Sequence, residues 1–112
     1  MKRDDRVYLL HILDAVKQIE HYVQGLNHET FMQSRLVQDG VIRQLEIIGE
    51  ATKNLSVATT GNSPEVPWRD MAGMRDVLIH QYFGVDLSAV WDTVKQDIPE
   101  LKQCLAKLIE SS

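Results

Sequence analysis

The sequence predicts an all-α fold, an antiparallel bundle of about four to five helices. Three observations carry this. Apolar residues recur at three- and four-residue steps through three long stretches. No stretch alternates with a period of two. Gly, Pro, Ser and Thr gather between the periodic stretches, where chain reversals belong.

The first helix is expected over residues 4 to about 24, on a stripe of Leu9, Ile12, Leu13, Val16, Ile19 and Val23. Asp4 and Asp5 suit its positive end, and Gly25 suits its stop. A short helical turn follows over 28–34, capped from Asn27 or His28. A second long helix is expected from about Ser34 to Leu55. Its stripe is Val37, Val41, Leu45, Ile48 and Leu55, widened by Ile42 and Ile47. Residues 56–67 carry loop chemistry, including two prolines. A third helical region runs from Trp68 through about Phe83, with Gly73 a candidate break and Gly84 the stop. The last helix starts at Asp86 or Ser88 and uses Val90, Trp91, Val94, Ile98, Leu101, Leu105 and Leu108. Pro99 lies inside that pattern, which predicts a kink or two abutting helices.

At 112 residues the chain reads as one domain, residues 1–112, with no internal repeat. A hydrophobic fraction of 44% is enough for a core, and the charged fraction of 25% is that of an ordinary surface. The net charge of −4 gives no global field that attracts nucleic acid. It suits a basic protein partner, or an enzyme that holds RNA only through a local basic patch. Cys104 is the single cysteine, so no intrachain disulfide can form, which fits a reducing cytoplasm. Its place in an apolar stripe predicts a buried, inert thiol. The start, MKRDDR, is charged and reads as no signal peptide, and no apolar run has the length of a membrane span. His11, His21 and His28 show no ligand spacing with a cysteine or an acid pair, so neither a metal nor a cofactor is expected. A modest core makes self-association plausible. Trp68, Met71, Met74, Phe83 and Trp91 are its candidate contacts, Trp91 leaning to the monomer core and Trp68, beside a loop, to the surface.

The segment RDVLIHQY, Arg75 to Tyr82, concentrates the chemistry. Arg75 is a permanent cation suited to phosphate. His80 trades protons near neutrality. On a regular helix Asp76 and His80, at i and i+4, face each other, and Arg75 and Tyr82, at i and i+7, share a neighbouring stripe. Arg75 and His80 diverge by roughly 140° on an ideal helix. Either the arginine swings over, or the helix is distorted near Gly84, or a second copy of the chain completes the site; the last is the favoured expectation. A structural reading competes. An Asp–His pair at this spacing is common surface decoration worth about 0.2–0.5 kcal/mol, and a histidine before a glycine stop suits a helix C-terminus. On the second helix Arg43 and Glu50, also i and i+7, share a face. Arg43 is a candidate RNA contact and Glu50 a candidate anchor for the motif helix, with a structural salt bridge an equal reading for both. Gly49 permits close approach of another helix.

Arg75-Asp76-x-x-x-His80-x-Tyr82 resembles the R-x4-H-x-Y form of the HEPN signature, found in HepT-like toxins. Other pieces agree in order. VIRQLEIIGEATKNL, Val41 to Leu55, is similar to the family's R-Q-x-E-x-x-G-E-A helix. Pro67-Trp68 precedes the motif as it often does there, and FGVDLSAVWDTVKQDIPELK, Phe83 to Lys102, resembles the final helical region. The likeness spans about residues 5 to 108. It implies an all-α homodimer with two motifs facing one cleft, metal-independent endoribonuclease activity that is toxic when unrestrained, and a minimal nucleotidyltransferase antitoxin as partner. It also implies that the partner can transfer AMP onto the motif tyrosine, here Tyr82.

The residue chemistry fits an RNase that uses the RNA's own 2′-hydroxyl. His80 is the expected general acid or base, Arg75 the clamp on the scissile phosphate, and Asp76 the group that orients His80. Tyr82 can stack a base or bond a phosphate. DNA lacks the nucleophile and is expected to be inert. The alternatives are a non-catalytic helical dimer that binds a nucleotidyltransferase partner, a bundle that grips a mononucleotide through Arg75 and Tyr82, and a simple structural bundle.

Overall fold

The computed structural model describes residues 3–73 and 84–110, with side chains from Asp5 onward. Every regular element among the described residues is helical. The order is α1 (Arg3–Val23), α2 (His28–Met32), α3 (Arg35–Lys53), α4 (Val57–Gly61), α5 (68–73), α6 (Leu87–Asp92), a π-helical segment (Thr93–Asp97) and α7 (Ile98–Glu110).

Local chemistry sets most boundaries. Gly25, at φ 78°, takes the left-handed conformation that ends α1 at little cost for a residue without Cβ. Asn27 caps α2 reciprocally with Thr30, and Ser34 caps α3 through Val37 N–H. Asp86 caps α6 by accepting from Ala89 N–H, 3.1 Å away. Between α6 and α7 the last helical pattern continues through one widened turn. Ile98 N–H donates to Thr93 O, five residues back. The π segment ends two residues before Pro99, which has no N–H and whose ring crowds the carbonyl four residues earlier, inside that segment. The expected junction at Pro99 is therefore two helices abutting through a π segment.

Packing follows the stripes. Leu9, Ile12, Val16 and Ile19 of α1 are buried against Val41, Leu45 and Ile48 of α3 and against Val90, Trp91, Val94, Ile98, Leu101 and Leu105 of the last helical region. Leu13, Val23, Val37, Ile42, Ile47, Leu55 and Leu108 are partly buried around them. The directions are antiparallel. Asp5 at the start of α1 bonds Ser56 just beyond α3, while Tyr22 at its end lies against Gly40 near the start of α3, where an added Cβ would come within 3.2 Å of the ring. Likewise Arg6 donates to Ile109 O at 3.2 Å, and Glu20 pairs with Lys102 at 3.0 Å, so α7 runs antiparallel to α1.

Three expectations are corrected. The stretch 56–67 is not wholly loop, because α4 forms within it, capped by Ser56. Asp5 lies in the first turn of α1 and also reaches α4. It is 2% exposed and accepts from Ser56 N–H at 3.0 Å, from Ser56 Oγ and from Thr59 Oγ1 at 2.6 Å, which fastens the start of α4 onto α1. Trp68 is buried, not a surface ring, and its indole N–H donates to Ser63 O at 3.0 Å. Met71 and Trp91 are buried in the same monomer, whereas Met74 and Phe83 lie outside the described residues. Cys104 is half-buried rather than fully enclosed. No helix among the described residues is long and apolar enough to cross a membrane.

Candidate functional site

Arg75, Asp76, His80 and Tyr82 all lie outside the described residues, as does the rest of the helical region expected from Met74 to Phe83. The described chain on either side is firmly held. On the N-terminal side α5 is pinned by Trp68 and Met71 in the core. On the C-terminal side Val85 packs on the core, Asp86 caps α6, and Val90 and Trp91 are buried. Trp91 stacks at a tilt on Phe31 of α2, with ring centroids 5.0 Å apart.

The described part of the predicted site is on α3. Arg43 is exposed and pairs with Glu46, one turn on, at 3.8 Å. Arg43 and Glu50, on the face their spacing shares, both line one cleft. That cleft runs between α1 and α3, has a volume of about 210 Å³, and is also lined by Tyr8, His11, Glu46, Ile47, Ala51 and Asn54. Tyr8 and His11 meet edge to face with centroids 6.3 Å apart. Asn54 ends α3 and donates its side-chain amide to Glu50 O at 2.9 Å. Gly49, beside Glu50, is buried on the same helix. The helix pattern alone did not single out Tyr8, His11 and Asn54. The first two were legible as an aromatic pair at i and i+3 on α1, but their nearness to Arg43 depends on how α1 crosses α3.

The HepT-like profile, described as ribonuclease HepT-like, matches residues 12–108. The chain belongs to the ribonuclease HepT-like family. A probable ribonuclease HepT of Thermococcus cleftensis is 49% identical over 108 residues, which is 96% of this chain and 98% of that protein. A Methanocaldococcus jannaschii protein named "Gamma-glutamylcyclotransferase and putative RNase" is 46% identical over 110 residues; the match takes in 98% of this chain, which spans half the length of that relative. Another protein of the same organism, named "Putative RNase", is 40% identical over 109 residues, 97% of this chain and 90% of its own length. No solved structure matches the chain.

Within this HepT-like chain two further titratable groups are perturbed. Cys104 Sγ lies 3.7 Å from Glu65 Oε1, and burial together with that carboxylate pushes the thiol pKa up, so it resists forming the reactive thiolate. Asp97, in the π segment, has its carboxyl pKa raised, first by burial and then by the carboxylates of Glu100 and Asp70. An acid raised in this way holds its proton more tightly folded than unfolded. Its contribution to stability is full below the unfolded pKa and is lost as pH rises through the folded one. Asp97→Asn is therefore expected to raise Tm at pH 7 and to leave it unchanged near pH 3. Thermal melts at both pH values check this, and equal Tm values at pH 7 contradict it.

Proposed function

We propose that this chain is a metal-independent endoribonuclease and the toxin of a HepT-like toxin–antitoxin pair. The observation that carries the reading is the family match over residues 12–108, with Arg75-x4-His80-x-Tyr82 inside it. His80 takes the proton of the 2′-hydroxyl, or returns one to the leaving 5′-oxygen. The 2′-oxygen attacks phosphorus, the 5′-oxygen leaves, and the product ends are a 2′,3′-cyclic phosphate and a 5′-hydroxyl. Arg75 balances the charge that develops on the phosphorane, and Asp76 holds the His80 ring in one tautomer. Arg43, exposed on α3, adds an RNA contact beyond the scissile phosphate. A chain of net charge −4 needs such local cations to hold a polyanion. A homodimer brings two motifs to one cleft and relieves the roughly 140° divergence of Arg75 and His80 on a single helix.

Control is by a minimal nucleotidyltransferase antitoxin. The Tyr82 oxygen attacks the α-phosphorus of ATP, pyrophosphate leaves, and the tyrosine carries AMP. The added bulk and negative charge beside Arg75 block the RNA path without unfolding the chain. The test is expression in cells. The chain alone is expected to arrest growth. Co-expression with the nucleotidyltransferase is expected to restore growth and add one AMP to the intact mass, and Tyr82→Phe is expected to lose that gain. Normal growth with folded, unmodified wild-type protein would sink the toxin reading.

A further inference from the structure

We infer that the α1–α3 cleft is a base-recognition subsite, and that it takes a guanine base of single-stranded RNA. Guanine is the ligand class because of what lines the cleft. Its volume of about 210 Å³ falls below the roughly 300–1,000 Å³ typical of pockets that enclose a whole drug-sized ligand. A single planar ring system suits it, with ribose and phosphate left outside. Ile47 and Ala51 give it apolar walls, and Tyr8 and His11, already in edge-to-face contact, offer ring faces on which a base can stack.

The polar groups select against phosphate inside the cleft. Among the described lining residues two carboxylates, Glu46 and Glu50, stand beside one guanidinium, that of Arg43. Ionised carboxylates only accept hydrogen bonds. The half-buried Glu46 carboxylate and the Asn54 side-chain oxygen, whose amide nitrogen is committed to Glu50 O, are acceptors. A base that enters must bring N–H donors. Guanine presents two adjacent donors, N1–H and the N2 amino group, which one carboxylate can receive together, whereas uracil presents one. Arg43, with 69% of its side chain exposed, is free to reach outward from Glu46 toward the phosphate of the same nucleotide. Such a subsite would choose where RNA is cut, while the motif residues do the cutting.

That the base belongs to a substrate rests on the ribonuclease reading, so the test has one arm that does not. Guanosine 5′-monophosphate and uridine 5′-monophosphate are titrated into the full chain by NMR, for wild type, Tyr8→Leu and Glu46→Gln, with melts to show that each variant is folded. Tyr8→Leu keeps apolar volume in a half-buried place but removes the stacking face. Guanosine monophosphate is expected to bind more tightly than uridine monophosphate and to shift residues around Tyr8 and Asn54. Each variant is expected to lose about tenfold or more of that affinity. In the second arm the sites cut in a mixed-sequence RNA are mapped, and both variants are expected to lose preference for a guanine at one fixed distance from the cut. Wild type that binds guanosine monophosphate at this cleft but cuts no RNA would sink the ribonuclease reading and support the subsite. Wild type that cuts RNA while folded variants bind the nucleotide and choose sites as it does would overturn the subsite and leave the ribonuclease reading standing.

Discussion

Purified His80→Ala and Arg75→Ala proteins are expected to leave RNA intact under conditions in which wild type cleaves it. The two losses have different causes. Without His80 the proposed proton carrier for the 2′-hydroxyl is gone, and general acid–base catalysis of this kind is worth about 10²–10⁴ in rate. Without Arg75 the phosphorane charge loses its fixed partner, and removal of one such electrostatic stabiliser costs on the order of 10²–10³. His80→Ala should change kcat more than KM, whereas Arg75→Ala should change both, because a phosphate clamp acts in the ground state and in the transition state. Initial rates over a range of RNA concentrations check this, alongside melts that show both variants folded. Asp76→Asn is expected to do less harm, since it disturbs the orientation of His80 rather than removing it. A folded His80→Ala protein with wild-type rates would end the assigned role.

The largest expected loss of stability comes from Phe31→Ala. Phe31 is fully buried on the five-residue α2 and packs on Trp91 of α6. A buried phenylalanine cut to alanine costs about 3–5 kcal/mol, part transfer and part cavity. Whole domains are stable by about 5–15 kcal/mol, so this is a large share. Gln38, whose amide donates to Phe31 O and Met32 O at 3.0 Å, holds the α2 backbone in place but does not fill the cavity. Urea unfolding of wild type and variant measures the difference. Phe31→Leu, which keeps most of the volume, is expected to lose much less. The effect should also reach function, because α6 follows directly from the motif segment. A loss under 1 kcal/mol for Phe31→Ala would show that the α2–α6 contact is not part of the main core.

The helical stripes were legible because each long helix buries one face. Leu9, Ile12, Val16 and Ile19 could be read as one buried stripe and Val41, Leu45 and Ile48 as another, as burial follows the 3.6-residue period directly. The end of α1 was legible for a local reason too, since Gly25 takes a positive φ. What was not legible depends on long-range contact. The α4 sequence, VATTG, is rich in β-branched residues and ends in glycine, so local propensity argues against a helix. It forms where Asp5, 51 residues before Ser56, satisfies its first turn. Trp68 followed the same logic, its burial depending on a carbonyl at Ser63 placed by the loop. At the site, the shared face of Arg43 and Glu50 could be read from a seven-residue step, but the cleft itself could not. It exists because α1 lays Tyr8 and His11 across from them.

Incubation of RNA with unmodified wild-type protein in excess EDTA, with matched DNA beside it and the product ends identified, tests the central claim most directly. The account predicts that RNA is cut at a rate EDTA does not change, that every new 3′ end is a 2′,3′-cyclic phosphate, and that DNA survives. RNA left whole by folded protein whose intact mass carries no AMP would contradict it, as would cleavage that stops when divalent ions are removed.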